Sequence, residues 1–212
     1  MMQYVRDPDR IHTQSYVKIR EQVDLSAFTP DQQQVVIHLI QAWGDPDLAQ
    51  YIQFSPNALE VARKAIKKQS NILYDEMLVT AALDNKLLYQ EPFGFLNRAA
   101  VISHAKAAKQ TRAMTAVDYW KPFMRDSIIL IGQSGTALFR LLELLKEGAP
   151  RPALVIAAAR GFINAETAKR TLWEHREEFG FECIMVKGTR GGGVLAASAL
   201  NALLMMQQGI YI

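Results

Sequence analysis

Three short loops hold the residue types that could do chemistry. Gly132-Gln133-Ser134-Gly135-Thr136 lies between an apolar run and a helix-like stretch. Its glycines let the backbone turn sharply, and free N–H groups at a helix start attract anions. Two readings stay open, an anion cradle or a tight turn with Thr136 as helix cap. Arg160-Gly161-Phe162-Ile163-Asn164 follows the next apolar run. An arginine there suits a carboxylate or phosphate; a surface arginine beside a turn is the plainer reading. Lys187-Gly188-Thr189-Arg190-Gly191-Gly192-Gly193 ends in three glycines before an apolar helix, which permits close approach of a ligand or a second chain. Its spacing fits neither a Walker loop nor a dinucleotide fingerprint, so nucleotide binding is weakly supported.

Other chemistry finds less support. His12, His38, His104 and His175 are widely spaced and show no metal-binding pattern. No Gly-x-Ser-x-Gly elbow is present, and Cys183 lies inside an apolar run, where it reads as a small core residue. A single cysteine excludes an internal disulfide and a cysteine-cluster metal site, and it fits a reducing cytoplasm. On a helix beginning at Thr29-Pro30-Asp31, the stripe of Val36, Leu39, Ile40 and Trp43 leaves Gln34, His38 and Gln41 on the other side. By pattern alone that side is a solvated polar face; the alternative is a face lining a pocket or a subunit contact.

The elements that must position these loops alternate. Ser127–Ile131, Ala153–Ala157 and Glu182–Val186 read as buried strands, each followed by a helix: Thr136 to Lys146, Asn164 to Glu178, and the apolar stretch after Gly193. Strands alternating with helices predict a parallel sheet with helical crossovers, and ligands of such sheets sit at the carboxyl ends of the strands. The first third reads as helices, with an amphipathic one from Ser55-Pro56-Asn57 to about Gln69. A short apolar run, Asn71–Tyr74, precedes a helix-like stretch from Asp75, and Glu91–Phe95 is the most loop-like interior piece. The 212 residues, half of them hydrophobic, predict one α/β domain, residues 1–212, and exclude fibrous and wholly disordered classes. A net charge of +3 is too mild for a nucleic-acid partner. The segment Met1 to Pro8 lacks the apolar core of a signal peptide, and the run Val194–Met206 is too short to span a membrane. These features predict a cytoplasmic protein.

In this order, the pieces resemble the precorrin-8X methylmutase family over nearly the whole chain. The resemblance rests on Tyr4-Val5-Arg6-Asp7-Pro8, Ser15-Tyr16 before Ile19-Arg20, Asp24-Leu25, Phe54-Ser55-Pro56, and Ile72-Leu73-Tyr74-Asp75. It continues through Thr111-Arg112, Gly132 to Leu138, Glu147-Gly148-Ala149-Pro150, Gly161-Phe162, Gly191-Gly192 and Ala199-Leu200-Asn201. It implies an α/β homodimer without metal or organic cofactor that moves a methyl group between neighbouring ring carbons of a corrin precursor in cobalamin synthesis. The implied ligand is a polycarboxylated tetrapyrrole, held by Ser15, Arg112, Gln133, Ser134, Thr136, Arg160, Thr189 and Arg190. The family's catalytic histidine falls on Gln41. An amide hydrogen-bonds but does not exchange a proton near neutral pH. His38, one turn earlier, could stand in, with a reach differing by about 5 Å along the helix. The alternative expectation is a catalytically impaired relative that binds a tetrapyrrole or a protein partner without rearranging it.

Overall fold

The structure, a computed structural model, describes residues 2–212; Met1, the first residue of the N-terminal segment read above, lies outside them. Proline in the first turn and side-chain caps start the first helices. Asp7 accepts the Asp9 and Arg10 N–H groups to open α1 (Pro8–Gln22). Thr29 and Gln32 form a reciprocal capping box at α2 (Pro30–Trp43). The chain then forms β1 (Ile52–Phe54), α3 (Ala58–Lys67), β2 (Ile72–Tyr74), α4 (Met77–Ala82), α5 (Ala99–Ala108) and α6 (Arg112–Val117). Next come β3 (Ile128–Ile131), α7 (Gly135–Lys146), β4 (Leu154–Ala157), α8 (Ala165–Phe179), β5 (Glu182–Val186) and α9 (Gly193–Gln207).

The sheet has the order β1-β5-β4-β3-β2. Strands β2 to β5 are mutually parallel, as their apolar runs predict. Period-two alternation sorts each strand between two cores. Ile128, Leu130, Leu154, Ile156, Ile184 and Val186 face a layer containing α1, α2, α3, α4 and α9. Ile129, Ile131, Val155, Ala157, Cys183 and Met185 face α5, α6, α7 and α8. Both faces are covered, the usual condition of a parallel sheet.

The structure corrects two expectations. The first third is not all helix: β1 pairs antiparallel with β5, Ile52 opposite Val186. Three residues with a glutamine in the middle make too short a pattern to stand out from the flanking helices. The far side of α2 is also not a solvated face. Gln34 is buried, its Nε2 donating to the Ile212 carbonyl (3.1 Å) while its Oε1 accepts the Ile212 N–H (2.8 Å). The amide mimics a strand neighbour and ties down the chain end. His38 and Gln41 are half-buried, and Tyr16 of α1 packs against His38.

The same ties orient α2. Gln34, early in α2, is bound to Ile212, beyond the end of α9, and α2 packs along α9. The next segment enters β1 opposite the end of β5, where Tyr51 accepts the Lys187 N–H. The end of α2 thus feeds the edge at which the parallel strands finish.

Candidate site at the carboxyl ends of the strands

The strand ends are organised by two consecutive carboxylates, Asp75 and Glu76, which the sequence reading did not single out. Asp75 is fully buried after β2. Its Oδ1 accepts the Gly132 N–H (2.7 Å), and its Oδ2 accepts those of Gln133 (3.0 Å) and Ser134 (2.7 Å). Burial pushes the carboxyl up to about 6, while the three N–H donors and Glu76 act as smaller influences in opposite directions. The anion cradle of this loop is real, and its anion is internal. The side chains of Gln133, Ser134 and Thr136 are left for a ligand. The cap of α7 is Ser134, whose Oγ accepts the Ala137 N–H (3.1 Å), not Thr136. The Thr136 hydroxyl instead joins Ser134 Oγ (2.9 Å) and Thr111 Oγ1 (2.7 Å). Thr111 caps α6, and so places Arg112, exposed at the first position of that helix, beside the same loop.

Two glycine loops meet here because neither carries a side chain. A Cβ on Gly132 would lie 2.5 Å from the Gly193 Cα, and one on Gly191 would lie 2.0 Å from the Ala158 carbonyl oxygen. That closeness lets the Gly192 N–H reach the Ala158 carbonyl (2.7 Å) and the Gly161 N–H reach the Thr189 carbonyl (3.0 Å). Arg160 then bridges the loops, its Nε donating to Gln133 Oε1 at 2.7 Å.

A second residue missed in the sequence anchors the third loop. Lys169 is 1% exposed, and its Nζ donates to the carbonyls of Val186 (2.5 Å) and Arg190 (2.7 Å) at the two ends of the loop. Burial pushes the ammonium down to about 8, against the pull of Glu166. A signal existed: Lys169 falls in the stripe Ala165, Ala168, Leu172, the buried side of α8. The Arg190 guanidinium lies 3.8 Å over the Tyr51 ring, which fixes it on the β1 side.

The structure therefore brings Gln133, Ser134, Thr136 and Arg160 together, with Arg112 adjoining; Thr189 joins through its backbone carbonyl, and the Arg190 guanidinium turns aside to Tyr51. Ser15, His38 and Gln41 stay on the α1–α2 layer, outside that hydrogen-bond network. Ser15 Oγ donates back to the Ile11 carbonyl (2.7 Å). His38 meets Tyr16 edge-on with ring centroids 5.5 Å apart. Burial, aided by His12, holds its imidazole down to about 4. At neutral pH it is a hydrogen-bonding group and not a cationic acid. The half-buried Gln41 amide makes no hydrogen bond among the described residues. Among those residues no three His, Cys, Asp or Glu side chains converge as a metal site, and no helix is long and apolar enough to cross a membrane.

A separate cleft of about 990 Å³ opens at the opposite, amino-terminal edge of the sheet, between Lys64, Arg125, Arg151 and Glu182. Size alone does not make it the site. Ligands of parallel sheets bind outside the carboxyl ends of the strands, and the converging polar side chains are there.

The chain is similar to known proteins along nearly its whole length. Residues 10–206 match the family model described as precorrin-8X methylmutase. The precorrin-8X methylmutase of Pseudomonas aeruginosa is 34% identical over 205 residues, covering 96% of this chain and 98% of its own. The cobalt-precorrin-8 methylmutase of Leptospira interrogans is 27% identical and covers 92% of each chain. The crystal structure of a precorrin-8X methylmutase from Thermus thermophilus superposes with a TM-score of 0.85 at 31% identity, over 96% of this chain and 98% of that one.

Proposed function

Because this chain belongs to the precorrin-8X methylmutase family, we propose that it is an isomerase of cobalamin biosynthesis, moving a methyl group between neighbouring ring carbons of a polycarboxylated corrin precursor. Family membership along nearly the full length carries the reading. The site geometry supplies its physical content. With the Gly132–Ser134 N–H groups taken by Asp75, side chains are the main candidates to hold the acetate and propionate arms of the substrate. Arg112 and Arg160 are the cations for charge-assisted bonds, with Ser15, Gln133, Ser134, Thr136, Thr189 and Arg190 as further contacts. Gln41 holds a ring nitrogen by hydrogen bonding, and His38 supports the same turn of α2. Holding a large rigid macrocycle in one pose is itself a major part of catalysis.

Residues 1–212 act as one domain in this reading. Two copies pair as a homodimer, because Ser15 and Gln41 lie on a helical layer apart from the strand-end network and a second copy can complete the cleft. Sedimentation equilibrium should give twice the 23.8 kDa of one chain; a single-chain mass at micromolar concentration would remove the pairing. A cytoplasmic location belongs to the same reading and is supported by the single, free, buried Cys183. No nucleic-acid partner is proposed.

Incubation of the purified protein with the precorrin substrate should change its absorption spectrum as the ring rearranges, and an unchanged spectrum counts against isomerisation. In the same assay Arg112→Ala should raise KM about tenfold or more, since a lost charge-assisted bond commonly costs about 1.5–3 kcal/mol. An unchanged KM would make Arg112 structural.

A further inference from the structure

Of the two carboxylates that follow β2, Asp75 is fully engaged and Glu76 is not. Glu76 Oε1 is buried, and the one donor near it is the Gly193 N–H, which holds it only loosely. It lies against the first turn of α9, where a Cβ on Gly193 would stand 2.7 Å from it, so the glycine makes room for the carboxyl. The residue as a whole is only partly covered, and it sits at the edge where the Gly132 and Gly193 loops meet. The charged groups that bear on it are its neighbour Asp75 and Arg160, the latter tied to Gln133.

The rest of the site offers few deliverable protons. Gln41 and Gln133 are amides; Arg112, Arg160 and Arg190 do not deprotonate in proteins; Ser15, Ser134, Thr136 and Thr189 are hydroxyls. His38 is neutral and already against Tyr16. Asp75 is sealed by three N–H groups. An ionised oxygen buried with only the loosely placed Gly193 N–H beside it is costly, whereas a protonated carboxyl can donate.

We propose that Glu76 is the proton-carrying catalytic residue of this site, a role that rests on the methylmutase reading and that the resemblance otherwise assigns to the position of Gln41. Burial raises its carboxyl above the ordinary range, against the pull of Arg160 and the Gly193 N–H, which agrees with that role. The carboxyl gives its proton to a ring nitrogen of the bound macrocycle. The methyl group then migrates with its bonding pair, one carbon–carbon bond breaking as another forms to the adjacent ring carbon. The ring nitrogen returns the proton to the Glu76 carboxylate. Nothing is oxidised or reduced, and the mass is unchanged.

The test is Glu76→Gln, which keeps the shape and removes the exchangeable proton. Against the precorrin substrate, kcat should fall about 100-fold or more, the usual size of a general acid's contribution, while KM stays within a few-fold. The double variant Glu76→Gln/Gln41→His should recover at least tenfold of the lost kcat, because it restores an imidazole at the position to which the resemblance assigns proton transfer. An unchanged kcat in Glu76→Gln overturns the proposal and leaves the methylmutase reading intact. A wild type that binds the substrate without turnover overturns the proposal and the isomerase reading together. A loss of kcat accompanied by a fallen thermal midpoint, with no recovery in the double variant, assigns Glu76 to capping α9 and also overturns it. A wild type that does not bind the substrate at all removes the methylmutase reading itself.

Discussion

Gly132→Ala should destabilise the fold by about 3 kcal/mol, the upper range for forcing extra volume into a packed site. The added carbon would stand 2.5 Å from the Gly193 Cα, 2.9 Å from the Gly193 nitrogen and 2.9 Å from Val79 Cγ2. Two of the three neighbours are backbone and cannot rotate away. Relief requires separating the β3–α7 loop from the start of α9, which would loosen the frame that holds Gln133 and Arg160. The unfolding midpoint in urea should drop with an unchanged slope. Gly148→Ala is the comparison. Its Cβ meets nothing within 4 Å, but its φ of +86° is strained for alanine, so the cost should be about 1 kcal/mol. Equal costs at the two positions would show that the loops give way easily.

Asp75→Ala should cost about 3 kcal/mol or more at acidic pH, because it leaves the N–H groups of Gly132, Gln133 and Ser134 without their acceptor inside the protein. The pH dependence has a defined sign. The folded carboxyl is held at about 6, above the ordinary 3.8. The folded state therefore binds this proton more tightly than the unfolded chain does. The contribution of Asp75 to stability is fully present below about 4 and is lost as the pH rises through about 6. The gap between wild type and Asp75→Ala in urea should accordingly be wider at pH 4 than at pH 7. A gap that widens toward pH 7 would mean that the three N–H donors outweigh burial and hold the carboxyl below its ordinary value.

Much of this architecture is legible in the residues. Ser127–Ile131, Ala153–Ala157 and Glu182–Val186 are largely apolar on both faces, which only a doubly covered strand tolerates, and the loops after them carry the candidate site. The anion cradle was legible as a backbone shape but not as an occupied one. Nothing local reveals that Asp75, 57 residues before Gly132, fills it. Gln34 shows the matching limit of helical periodicity: an arc opposite one apolar stripe is solvated only if no second element packs there, and here the chain end does. Lys169 was within reach, as a cation set into the apolar stripe of α8. The convergence of Arg160 on Gln133 depends on two backbones touching at Gly132 and Gly193, a contact written only in the absence of side chains.

The central claim is methyl migration on a corrin precursor by a site whose histidine position holds Gln41. Its most direct measurement uses substrate carrying a carbon-13 label in the migrating methyl group, followed by NMR under single-turnover conditions. The label should move to the neighbouring ring carbon in a product of unchanged mass. A label that stays on its original carbon, in substrate demonstrably bound, would contradict the account and leave a tetrapyrrole-binding protein that does not rearrange its ligand.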